Sequence, residues 1–127
     1  MNRRRFLETI GGVALATLGA ACDRGTSADA TSALARPELL VALGAERVRE
    51  LGRRYREMVP AERDAASLGD AITRSFPWSA RLFGSSSIDV PRLVHDDFDA
   101  GRTVVVLGWI LSATEARQCA LFSLLPA

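Results

Sequence analysis

The sequence predicts a small, mainly helical α+β domain with about four helices and one β-hairpin before the C-terminal helix. Three observations carry this. Apolar residues recur at spacings of three and four from Leu40 to Met58, as on one face of a helix. Thr103-Val104-Val105-Val106 is a β-branched run, and Leu107-Gly108 separates it from the apolar Trp109-Ile110-Leu111. Ser112-Ala113-Thr114-Glu115 then has the pattern of a capping box, just before another apolar stretch.

Taken in order, Pro37 opens the first helix, with Leu40, Gly44, Val48, Leu51, Tyr55 and Met58 on one side. Arginines and glutamates cover the other sides, and Glu50 stands four residues before Arg54, the spacing of a favourable exposed pair. That face is suited to solvent or to acidic lipid headgroups. Pro60 stops the helix, because the residue before a proline avoids α geometry. Ser67-Leu68-Gly69-Asp70 reads as the next helix start, and Leu68, Ile72 and Phe76 repeat along it until Pro77. Residues 77–87 read as a loop with Trp78 and Phe83 as apolar anchors. Asp89 is an expected N-cap with Pro91 in the first turn; Val90, Leu93, Val94 and Phe98 form an apolar face and Gly101 ends the helix. His95, Asp96, Asp97 and Asp99 read as a solvated helix end, since one helix supplies about two convergent metal ligands and a site needs three or four.

The hairpin places large side chains on both faces, and Ala116, Cys119, Ala120, Leu121, Phe122, Leu124 and Leu125 run almost all round the last helix. A helix apolar on every side is normally buried, and a domain this small has few elements to bury it with. The expectation is therefore a surface built from Val105, Trp109, Leu111, Leu121 and Phe122 that meets a protein partner or a second copy of the chain.

The N-terminus has a different character. Basic residues precede an apolar run from Ile10 to Ala21, which is short for a membrane span of roughly 20 residues. Asn2-Arg3-Arg4-Arg5-Phe6-Leu7-Glu8 resembles the twin-arginine translocation signal of bacteria: Arg3, Arg4, Phe6 and Leu7 match, and Asn2 and Glu8 depart at flanking positions. The resemblance implies export to the periplasm or cell envelope. Cys22 after Gly19-Ala20-Ala21 resembles the lipidated cysteine of bacterial lipoproteins, with Leu18 one position further upstream than that pattern has it. Lipidation would tether the chain to a membrane; plain cleavage near Ala21 is the other reading. The expected organisation is a signal peptide over 1–22, a flexible tether over 23–36 and a globular domain over 37–127.

Removing residues 1–22 leaves 13 basic against 14 acidic residues, a balance that does not suit a nucleic-acid-binding domain. The sequence contains no lysine, which excludes Schiff-base and P-loop chemistry. Cys22 and Cys119 could pair in an oxidising envelope, or Cys119 could serve as a buried apolar thiol. Tyr55 and Trp109 suit core packing, and Ser112 with Glu115 suits a helix cap rather than a nucleophile. No catalytic, cofactor or metal constellation is apparent. In size and layout the chain resembles small twin-arginine-exported subunits of membrane-bound dehydrogenases, which implies a non-catalytic accessory subunit of an exported, membrane-associated redox enzyme. A free-standing envelope lipoprotein acting as a binding or scaffold module is the alternative.

Overall fold

The computed structural model describes residues 32, 34–77 and 89–127. Two compact units divide the chain, and the second, Ala33–Ala127, holds every element described below. The expected signal peptide over 1–22, with Cys22, and the expected loop anchors Trp78 and Phe83 lie outside the described residues.

Among the described residues five α-helices and one two-stranded antiparallel hairpin follow in order: α1 Leu39–Leu43, α2 Ala45–Met58, a 3-10 turn Pro60–Glu62, α3 Ala65–Arg74, α4 Val90–Asp99, β1 Thr103–Val106, β2 Trp109–Ser112 and α5 Ala113–Leu124. The domain is α+β, with the hairpin directly before the last helix.

The single helix expected from Pro37 to Pro60 is two. Gly44 leaves helical geometry at φ 81° and ψ 163°, a conformation that glycine alone adopts at little cost. The break lets Leu39, Leu40 and Leu43 turn onto the core independently of α2. The next helix begins earlier than expected. Asp64, not Ser67, is its N-cap; the Asp64 carboxylate accepts from the Ser67 amide at 2.8 Å, and Ser67 Oγ accepts from the Asp64 amide. Asp89 caps α4 as expected, accepting from the Arg92 amide at 3.1 Å.

Helix α5 is the centre of the domain and touches α2, α3, α4 and both strands. Most of its apolar side chains are buried inside the molecule: Ala116, Cys119, Ala120 and Leu121 join Val48, Leu51, Leu68, Ile72, Val106 and Leu111 in one core, while Leu124 at its C-terminal end is exposed. The α2–α5 crossing is close enough that a Cβ on Gly52 would stand 2.0 Å from the Cys119 carbonyl oxygen. Only glycine permits that approach. The Cys119 thiol is buried and has no disulfide partner among the described residues, and burial, helped by the Glu115 charge, pushes its pKa up to about 12.

The ordered body also starts before residue 37. Leu34 and Ala35, expected in the tether, are buried in the core, and the buried Gln118 side chain donates to the Leu34 carbonyl at 3.1 Å. A polar interior side chain thus anchors the entering strand of chain, satisfying a backbone acceptor that burial would otherwise strand.

Candidate functional site

The hairpin register pairs Thr103 with Ser112, Val104 with Leu111, Val105 with Ile110 and Val106 with Trp109. Side chains of opposed residues share a face, and successive residues alternate. Val104, Val106, Trp109 and Leu111 therefore form one face, and Thr103, Val105, Ile110 and Ser112 the other. The first packs on α5 and α2, with Val106 and Leu111 buried. On the second, Val105 is 57% exposed and its cross-strand neighbour Ile110 is 65% exposed. Ser112 is buried because the chain turns there into α5.

The turn itself is short. Leu107 at φ 50° and Gly108 at φ 81° supply the two positive φ values of a type I′ turn. Leucine is an unusual choice for the first of these positions, and its side chain is also exposed. From Thr103 to Ser112 the sequence contains no charged residue.

This arrangement corrects the expected partner surface. Leu111 is 3% exposed and Leu121 is 1% exposed, so both belong to the core and neither can meet a partner. Phe122 is half-buried, with the Arg49 guanidinium 4.7 Å from its ring centroid. Val105 and Trp109 are exposed. Ile110 shares the outer face with Val105, whereas Trp109 lies on the opposite face; Leu107 in the turn is exposed as well. Strand alternation would have found Ile110, because a residue one step from the buried Leu111 must face away from it.

Two polar networks hold the neighbouring elements. At the α5 N-terminus Ser112 Oγ accepts from the Glu115 amide at 3.0 Å and Glu115 Oε2 accepts from the Ser112 amide at 2.9 Å, the expected capping box. Asp97, expected in solvent, is instead 2% exposed. Its carboxylate accepts from the Thr114 amide at 2.8 Å and from Arg102 Nε at 2.9 Å, which ties α4, the hairpin entry and α5 together. Burial pushes the Asp97 carboxyl up, but the Thr114 and Arg102 hydrogen bonds outweigh it and hold the group below the usual carboxylate range. The position next to a helix N-terminus also favours the anion. No spacing rule marks Asp97 among its acidic neighbours; its partner on α5, Thr114, is seventeen residues away.

The second network joins α2, the 3-10 turn and α5. Arg117 grips Glu62 through Nε at 2.9 Å and Nη2 at 3.0 Å, and the Tyr55 hydroxyl donates to Glu62 Oε2 at 2.6 Å. The Arg117 hydrogen bonds hold Glu62 below its ordinary value, and burial with the Glu62 carboxylate pushes Tyr55 up to about 12. Tyr55 is thus a core residue with a satisfied hydroxyl, as a single buried tyrosine requires.

His95 and Asp99 form an exposed pair at 3.1 Å on α4. Among the described residues no group of three or more His, Cys, Asp or Glu side chains is placed to hold a metal ion. No helix among them is long and apolar enough to cross a membrane. No protein-family model, curated protein or solved structure matches the chain.

Proposed function

We propose that this chain is a non-catalytic accessory subunit of an exported, membrane-associated enzyme, a redox enzyme in the first instance, and that the outer face of its hairpin docks on the larger protein. The twin-arginine-like leader, with Arg3, Arg4, Phe6 and Leu7, addresses it to the envelope, and Cys22 is the proposed lipid anchor. The observation that carries the docking is the Val105–Ile110 pair, exposed on a hairpin without one charge. Free strands are ordinarily blunted by charges, proline or bulges to prevent adventitious pairing. An uncharged apolar face that lacks these guards suits a surface that is covered in its working state.

Purification of the full chain from membranes, beside a Val105→Glu/Ile110→Glu variant, tests this. A larger protein is expected at stoichiometric yield with the parent chain and in trace amounts with the variant, at unchanged thermal stability. A lone monomer would overturn the proposal and favour the free-standing lipoprotein; a pair of copies with nothing else would replace the heterologous partner by a homodimer. Replacing Arg3 and Arg4 by Lys should block export, and mass spectrometry of the mature N-terminus should find a diacylglyceryl group on Cys22. Normal export or an unmodified N-terminus would remove the corresponding part of the proposal.

A further inference from the structure

The charged face of α2 is less neutral than its composition suggests. The expected Glu50–Arg54 pairing does not form. Arg47 binds Glu50 at 2.8 Å and Arg54 binds Glu57 at 3.0 Å instead, each over three residues. Those two pairs occupy two of the helix's three glutamates. Arg53, Arg56 and Arg63 then have no ion-pair partner among the described residues.

These three arginines line one surface depression of about 330 Å³, together with Glu57, whose carboxylate Arg54 already holds. Arg53 and Arg56 lie one turn apart on α2, and Arg63 follows the 3-10 turn. Arg56 Nε is out of contact with solvent and has no hydrogen-bond acceptor. An orphaned donor on a charged group is costly, and like charges at helical neighbour spacing repel. The negative end of the helix macrodipole favours one cation in the last turn, Arg56. It does not account for Arg53 and Arg63. Arg53 also lines an adjoining open groove of about 610 Å³ bounded by Leu43, Glu46, Arg47, Arg49 and Glu50, so there is space beyond the depression for a group larger than a bare ion.

We propose that Arg53, Arg56 and Arg63 form a binding site for a phosphate group. Several guanidinium forks match the oxygens of a tetrahedral anion, to which arginine binds in bidentate fashion. The phosphate can belong to a soluble phosphate compound or to the headgroup of an anionic lipid. This site is independent of the hairpin and of any partner bound there.

The full chain is titrated with inorganic phosphate by calorimetry and sedimented with phosphatidylglycerol or phosphatidylcholine vesicles. The N-terminal residues carry Arg3, Arg4 and Arg5 beside an apolar run and can favour the anionic vesicle themselves, so the part of the difference that the variants remove is the readout. Arg53→Gln and Arg63→Gln are the informative variants, because both side chains are exposed and their loss leaves the core intact. Each is expected to weaken binding about tenfold, with Arg→Lys at the same positions recovering part of it because charge persists and the fork does not. Saturable phosphate binding that the variants weaken assigns a soluble ligand. A phosphatidylglycerol preference that they abolish, without binding of free phosphate, assigns the headgroup. Absence of both, or binding that survives Arg53→Gln/Arg63→Gln, would overturn the site.

Discussion

The α2–α5 crossing and the β-hairpin both present large apolar side chains and end in opposite conditions. At the crossing, Gly52 brings backbone against backbone and the side chains around it are enclosed. At the hairpin, one face is enclosed and the other presents Val105 and Ile110 to solvent. A helix flanked by α2, α3, α4 and the strands buries most of its apolar side chains. A two-stranded sheet with helices on one side buries only one. The difference lies in the number of neighbours and not in hydrophobicity, so substitutions should cost much at the crossing and little at the hairpin's outer face.

Gly52→Ala should have the largest effect. With the Cys119 carbonyl 2.0 Å from the new Cβ, the helices must part along their contact. A loss of about 3 kcal/mol is expected in urea unfolding, the upper end for overpacking because backbone cannot yield as a side chain can. Unchanged stability would mean that the crossing is looser than described.

Asp97→Ala should follow, at about 2 kcal/mol, because it strands the buried Thr114 amide and releases Arg102. Its pH dependence is the sharper test. The folded-state pKa of Asp97 lies below its unfolded value, so its contribution is complete above about pH 4 and disappears as pH falls through the folded value. Glu62 acts in the same direction. Thermal melts from pH 7 to pH 3 should show a shallower acid loss in the variant than in the parent, and parallel curves would remove Asp97 from that role.

Leu107→Asn works the other way. Asparagine tolerates positive φ better than leucine, so the substitution should stabilise the domain by about 0.5 to 1 kcal/mol. A loss would reveal a packing role for Leu107. The smallest effect belongs to Val105→Thr/Ile110→Thr, expected within about 0.5 kcal/mol of the parent because both side chains are exposed. A substantial loss would show that the outer face is already covered in the free protein.

Local signals were legible where their physics is local. The hairpin, the Asp89 cap and the Ser112–Glu115 capping box each depend on residues within a few positions of one another. Gly44 was harder, because a glycine at an apolar spacing reads equally as a small helix residue or as a break. Asp64 was missed in favour of Ser67 because either can cap, and the reciprocal bond between them makes both part of one motif.

The candidate docking face was legible in position but not in membership. That the C-terminal third is too apolar for solvent follows from composition, and strand alternation separates Val105 and Ile110 from Leu111. Which of the two faces is enclosed depends on where α5 packs. Only that placement put Leu121 inside and left Ile110 out. The arginine pairing behaves alike: the sequence determined that α2 carries more arginines than glutamates, and the side-chain geometry on the folded helix decided which arginines lack a partner. By itself, then, the sequence determined the hairpin, the Asp89 cap and the Ser112–Glu115 capping box, because propensity, capping and periodicity are short-range. The tertiary structure decided the contact at Gly52, the burial of Asp97, the enclosure of α5 and the exposed face of the hairpin. Each of these is a meeting of residues far apart in the chain, and no local pattern records it.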